Sequence, residues 1–215
     1  ERMPATLRLT FAALLVALLV SIPAGIYAAL KRGSVSDMLV RISVLLGQAV
    51  PGFWLALVLI MIFSVRLRWL PVSGAEGWKS IILPAIVAGS FSMATITRLL
   101  RCNLLETMEE NYIQTARGKG LPSWMVTTRH ALKNAAIPVI TVIGLQMGWL
   151  LGGAVISEVV FAYPGMGRLA VTAISYRDVP VIQSFVAITA LIVVVINLSV
   201  DVVYSWLDPR IRLNE

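Results

Sequence analysis

Residues 9–30 read LTFAALLVALLVSIPAGIYAAL, a run without one charged side chain. A helix rises about 1.5 Å per residue, so about 20 apolar residues cross the hydrocarbon core of a bilayer. Backbone groups in lipid find no water to bond, so such a run spans as a helix. Four further uncharged runs follow at 42–65, 80–97, 134–157 and 179–200. The 215-residue chain agrees as a whole: it is 58% apolar and 13% charged, with a mean hydropathy of +0.85. That charged share is about half the soluble average. The reading is an all-α integral membrane protein with five transmembrane helices, at about 9–30, 42–65, 80–100, 134–157 and 181–204. A polar loop occupies about 104–133.

The net charge of +7 lies on the connections between the runs. In a soluble protein it would suggest nucleic acid; here it reads as membrane orientation, with lipid as the surrounding partner and no nucleic acid. One side carries Arg2, Arg8, Arg66, Arg68, Lys79, Arg168 and Arg177. The other carries Lys31, Arg32, Arg41, Arg98, Arg101, Arg117, Lys119, Arg129, Lys133, Arg210 and Arg212. The richer side is expected in the cytosol, with the C-terminus there and the N-terminus outside. A start at Glu1-Arg2-Met3-Pro4 then implies one more helix upstream and six spans in the full protein. Cys102 is the only cysteine, which excludes an intrachain disulfide and a cysteine-based metal site.

The polar interruption at 109–134 reads EENYIQTARGKGLPSWMVTTRHALKN. Leu105, Met108, Tyr112, Ile113 and Ala116 recur at helical spacing, so a first helix is expected from 105 to about 117. Gly118 and Gly120 are expected to end it with positive φ. Pro122 suits the first turn of a second short helix, about 122–133, with Met125, Ala131 and Leu132 inward and Arg129 and Lys133 outward. The bend between them carries Ala116, Gly118 and Gly120, small residues that let another protein's backbone approach. The physical reading is a docking knob.

Within the runs, Gln48, Pro51 and Gly52 interrupt the second. Pro51 removes a backbone bond there and reads either as a packed kink or as a hinge lining a substrate path. Ser36 or Asp37 is expected to cap the helix that leads into it. Gly144, Gly148 and Gly152 form a small-residue stripe, suited to packing within the chain or to contact with another subunit. Gln146 beside them offers an interhelical hydrogen bond. Asp201 needs a partner near the membrane, and Arg98 or Arg101 is expected to pair with it. Pro209 is expected to end the last helix. Trp69 and Trp78 read as interfacial anchors. Gly165-x-Gly167-x-x-Ala170 is not a dinucleotide fingerprint, because no βαβ unit surrounds it; a turn and a short helix over 168–176 fit.

Catalytic chemistry is not indicated. The single histidine, His130, lies in the polar loop, no HExxH occurs, and Gly118-Lys119 lacks the rest of a P-loop. If ATP drives this chain, another subunit supplies the site.

Several motifs together carry a resemblance. Gln114-Thr115-Ala116-x-x-x-Gly120 is similar to the E-A-A-x-x-x-G loop of the permeases of ABC importers, with Gln114 and Thr115 in place of Glu and Ala. The longer TARGKGL…RHALKNAAIPV resembles the dipeptide, oligopeptide and nickel branch. So do Trp69-Leu70-Pro71-Val72-Ser73-Gly74, Tyr163-Pro164-Gly165-Met166-Gly167, Arg177-Asp178-x-Pro180 and Leu207-Asp208-Pro209-Arg210. The resemblance implies the transmembrane domain of a type I importer in the cytoplasmic (inner) membrane of a prokaryote. It implies a second homologous permease, two cytosolic ATPase subunits that hold ATP and Mg, and an extracytoplasmic substrate-binding protein; this chain would bind no cofactor. The ATPases would dock on Tyr112, Gln114, Thr115, Ala116, Arg117, Gly118, Lys119, Gly120, Leu121 and Pro122. The cargo would be a peptide, nickel or a metal chelate. The rival reading is a secondary transporter or channel working without ATPases, which would call for titratable groups in mid-span.

Overall fold

The computed structural model describes residues 2–207, which are helical with short connections and contain no strand among them. Helices α1 (Met3–Leu30), α2 (Val35–Ala49), α3 (Gly52–Leu59), α4 (Ile82–Glu109), α5 (Asn111–Gly118), α6 (Ser123–Met125), α7 (Leu132–Val160), α8 (Met166–Tyr176) and α9 (Val179–Leu207) follow in order. A π-helix, Ile60–Arg66, extends α3, and a second, Val126–Ala131, joins α6 to α7. Among the described residues, four helices are long and apolar enough to cross a membrane, or up to five if the bent pair α2–α3 counts as one span.

Helix α4 is the centre. Its apolar window is 61% buried, against 33% for α1 and for the helix of α7 and none for α9. It runs against α1 through small residues on both sides. Leu9, Ala13, Ala17, Ser21, Gly25 and Ala29 fall one turn apart on α1 and are buried. On α4, a Cβ at Gly89 would lie 2.6 Å from the Ala13 carbonyl oxygen. A Cβ at Gly25 would lie 3.1 Å from the Thr97 carbonyl oxygen. Lipid supplies no hydrophobic drive between helices, so close backbone approach through small residues is what holds such a pair. The sequence reading singled out the glycines of the fourth run and missed this stripe, although its four-residue step is visible from Ala13 to Ala29.

The second expected span is not one helix. α2 and the helix 52–66 meet at 108°. Val50 and Pro51 both take extended backbone, with ψ of 124° and 134°. Proline lacks the donor for the preceding turn and pushes the residue before it out of the helical region, so one pattern becomes two rods. Gln48 at this corner donates to the Thr95 hydroxyl of α4 at 3.2 Å.

At the end of the bundle where α1 turns into α2, Ser34 is the cap, not Ser36 or Asp37. Its hydroxyl accepts from the Asp37 backbone N–H at 3.2 Å, and the Asp37 carboxylate accepts from Gly33 N–H at 3.1 Å. Asp37 is buried, and Arg101 of α4 grips it twice, through Nε at 2.7 Å and Nη2 at 2.8 Å. Arg101 is thereby engaged by Asp37; the expected pairing with Asp201 falls on a side chain outside the described residues. No ion pair of Arg98 appears among the described residues. The tail at 208–210, with Pro209, also lies outside them.

Two outcomes follow. Gly89→Val forces a side chain into the Ala13 backbone and is expected to cost about 2 kcal/mol or more, read as lost thermal stability in detergent. Asp37→Ala leaves the Arg101 guanidinium buried without its carboxylate, and a loss of about 3 kcal/mol is expected. Melting temperatures equal to wild type would contradict either assignment.

Candidate functional site

The polar loop is built on the same end as the Asp37–Arg101 pair. α4 continues through Leu105 to Glu109, so the first loop helix begins at Asn111, not at 105. The break is Glu110, with ψ of 146°, whose carbonyl accepts from Ile113 and Gln114 N–H. α5 then ends in a Schellman motif. Gly120 N–H donates to the Arg117 carbonyl at 2.9 Å, Leu121 N–H to the Ala116 carbonyl at 3.4 Å, and Gly120 sits at φ 78°. Gly118 remains inside α5 without positive φ, so only Gly120 meets the expectation.

The inner face of the loop is a small apolar core. Ile113 and Ala116 of α5 pack with Ala29, Leu104, Val126, Ala131 and Ala135, and Leu121 closes its edge. Ala116 therefore points into the chain and not out of the bend, contrary to its expected place on the docking surface. Tyr112, Gln114, Thr115, Arg117, Gly118, Lys119, Gly120, Pro122 and Trp124 are exposed. Trp124, two-thirds exposed among polar neighbours, was not singled out in the sequence. Its presence in Leu-Pro-Ser-Trp-Met, just after a glycine stop, was the available signal.

The second loop helix is not separate from the span that follows. Residues Ser123–Val160 form one continuous helix, with π turns over Val126–Ala131. The apolar pattern of 122–133 and that of 134–157 are one helix in register. Met125, Ala131 and Leu132 face inward, and Arg129 and Lys133 outward, as the spacing implies. The Asn134 amide donates to the Tyr112 hydroxyl at 2.7 Å, joining α5 to the start of the long helix. Arg32 and Glu109 add an exposed ion pair at 2.6 Å, which contributes little in water.

Along the bundle, Gly144 touches Val200 of α9, and a Cβ at Gly148 would lie 3.7 Å from Val193 Cγ1. These two glycines pack within the chain; Gly152 has nothing within 4 Å of its Cβ position. Beside them lies a groove of about 420 Å³ between α7 and α9, lined by Leu145, Gly148, Trp149, Gly152, Val193 and Asn197. A second cavity of about 430 Å³, with Phe11, Ile140 and Met147 in its wall, lies closer to Gly144. Neither is lined by a charged residue. Gln146 is buried and makes no side-chain hydrogen bond among the described residues.

The opposite end holds a second polar cluster, also missed. Glu158 is fully buried near the end of α7. Its carboxylate accepts from the Thr6 hydroxyl at 2.6 Å and from Arg168 N–H at 3.0 Å. The Thr6 hydroxyl in turn accepts from Met166 N–H at 2.8 Å. Gly165 leaves the room that the carboxylate fills, and Gly167 lets α8 sit against Val155, whose Cα would be 2.9 Å from a Cβ there. The glycines of Tyr163-Pro164-Gly165-Met166-Gly167 are thus explained by contact. Burial pushes the Tyr163 hydroxyl above its ordinary range, with Glu158 adding to the rise and Arg8 opposing it.

Comparison with known proteins places this architecture. The family described as "Binding-protein-dependent transport system inner membrane component" matches residues 21–213. The "Di/tripeptide transport system permease protein DppB" of Pseudomonas aeruginosa (strain UCBPP-PA14) is 43% identical over 237 residues, covering 97% of this chain and 70% of that protein. The "Glutathione transport system permease protein GsiC" of Escherichia coli (strain K12) is 41% identical over 212 residues, covering 99% and 69%. A solved inward-facing form of the MetNI methionine ABC transporter superposes with a TM-score of 0.80 at 16% identity, over 96% of this chain and 94% of that one. At that identity the likeness concerns the fold.

The orientation of Ala116 gives a sharp outcome. Ala116→Arg is expected to lower membrane abundance severalfold, because a charge enters the loop core. Arg117→Ala, one position on and exposed, is expected to leave abundance unchanged. Equal abundance of the two variants in a membrane immunoblot would contradict the inward placement.

Proposed function

Because the chain belongs to the family of binding-protein-dependent transport system inner membrane components, we propose that it is a permease subunit of an ATP-driven importer whose cargo is a peptide or a peptide-like molecule. The observation that carries the reading is the polar loop. A knob that transmits force must be rigid behind and accessible in front. Ile113 and Ala116 fix α5 to three helices from behind, while Gln114, Thr115, Arg117 and Lys119 face outward. The Asn134–Tyr112 bond and the unbroken helix Ser123–Val160 connect that knob to the membrane.

In this reading two cytosolic ATPases take the ATP and Mg, one of them docking on the 111–122 surface. A second, homologous permease completes the path, and an extracytoplasmic binding protein delivers cargo to the opposite end. ATP and loaded binding protein drive the cycle by preferring different states of the bundle. The relatives named for dipeptides and glutathione support a peptide-class cargo, and the two cavities carry no charged side chain in their walls. Among the described residues no group of three His, Cys, Asp or Glu is placed to hold a metal ion. Nickel would accordingly pass as a chelate.

Mild-detergent purification of the full-length protein from its native membranes tests the assembly. P-loop ATPases and a second permease are expected with it; recovery of the chain alone, transporting in vesicles without ATP, would favour a secondary transporter. Gly120→Asp puts a side chain on the exposed bend, where no atom of the chain lies within 4 Å, at a φ of 78° that strains any residue but glycine. Normal insertion with at least about tenfold loss of uptake is expected. Full uptake by a well-inserted Gly120→Asp protein would sink the docking surface.

A further inference from the structure

Two acids are buried among the described residues, Asp37 and Glu158. Asp37 has a guanidinium. Glu158 has no ion-pair partner among the described residues and is held by one hydroxyl and one backbone N–H. A buried carboxylate without a cation is costly, and a neutral side chain could pack the same space. Its geometry indicates what its two acceptor oxygens are for. Arg168 N–H belongs to the first turn of α8, where the orphan donors and the helix dipole favour a negative group. Thr6 lies in the first turn of α1 and bridges the same carboxylate to Met166 N–H, the first residue of α8. Glu158 itself sits in the last turn of α7. One carboxylate therefore joins the ends of three helices, and the space it fills is kept open by Gly165.

We propose that Glu158 is a positioning residue that latches α8 to α1 and α7, so that a push on α8 from outside moves the two spans with it. The inference depends on the importer reading above, in which this end faces the binding protein. α8 presents Leu169, Val171, Ile174 and Tyr176 outward and is tied to the bundle by Glu158 and by the fit of Gly167 on Val155. With one acceptor oxygen replaced by an amide, α8 keeps its contact through Gly167 but loses one of the two accepted bonds that fix its first turn. The polar loop lies at the other end of the same helix that carries Glu158, so the latch and the knob share one rod, Ser123–Val160.

The test uses the assembly purified from native membranes and reconstituted in nanodiscs. Glu158→Gln and Thr6→Val are expected to leave abundance and basal ATP hydrolysis unchanged. Stimulation of hydrolysis by loaded binding protein is expected to fall about tenfold, within the usual range of coupling between two sites. Thr6→Ser, which keeps the hydroxyl, is expected to restore it. Undiminished stimulation in Glu158→Gln overturns the latch, and so does a parallel fall of abundance, basal hydrolysis and stimulation, which marks mere structural support. A second measurement needs no partner. Spin labels at Ser175→Cys in α8 and Lys31→Cys at the far end of α1, with Cys102 replaced, report how firmly α8 is fixed. A narrow distance distribution that broadens in Glu158→Gln is expected. An equally narrow or equally broad distribution in both proteins overturns the latch even where the unmodified assembly shows no stimulated hydrolysis, an outcome that would count against the importer reading instead.

Discussion

Helix α4 reaches α1 only because Gly89 leaves room for the Ala13 carbonyl and Gly25 for the Thr97 carbonyl. Much of the bundle follows from that approach. With α1 and α4 nearly in backbone contact, Ala85, Ala88, Leu150 and Ala154 can gather around Leu9 and Ala13 and bring α7 onto the same seam. Further along, Ile96 and Leu100 of α4 meet Val139 of α7. The Asp37–Arg101 pair is then set at one end of the seam and the Glu158 cluster at the other, each where the helices run out and backbone donors must be satisfied. In a solvent that gives apolar side chains no reason to leave it, dispersion between close backbones and bonds at the ends do the work that burial does in water.

The apolar runs were legible because lipid imposes length. The breaks within and between them were less so, since hydropathy does not report backbone direction. Val50-Pro51 carries the full signal for a stop, yet the apolar residues on both sides continue unbroken, and the run reads as one span although the chain turns by 108°. At Ser123–Val160 the error reverses. A change from polar to apolar composition suggests two helices, but nothing in 123–134 prevents helical backbone, and the helix passes straight through. Glu110 shows why composition alone is a poor guide to such ends: a good helix former takes extended backbone there and starts a new helix, its carbonyl accepting from Ile113 and Gln114 N–H.

The polar loop was found by its contrast with its surroundings, and its stop at Gly120 by the glycine. Its facing was harder to read. Ala116 and Gly118 look alike as small residues at a bend, but the helical phase that buries Ile113 also buries Ala116 and leaves Gly118 outside. That Asp37 is a partner of Arg101 could not be read from sequence, because 64 residues separate them and only packing brings α2 onto α4. Glu158 escaped notice for a different reason. It stands at the edge of an apolar run, where an acid ordinarily looks like the start of a loop, and its partners Thr6 and Arg168 are far away in sequence or contribute only backbone.

The two polar clusters differ in what they ask of the helix between them. The knob is held by apolar packing together with the Asn134–Tyr112 bond, whereas the Glu158 cluster is held by hydrogen bonds to two helix starts. The π turns at Val126–Ala131 run through the knob's apolar core, with Val126 and Ala131 buried in it. Pro138 follows a short way along the same helix, removing one more backbone bond on that side of the seam. From Gly144 onward the helix carries the glycines that meet α9 and then the closely packed segment at Leu150 and Ala154. The π turns and Pro138 therefore lie in the half of the rod nearest the knob, and the contacts of Gly144, Leu150 and Ala154 in the half that ends at Glu158.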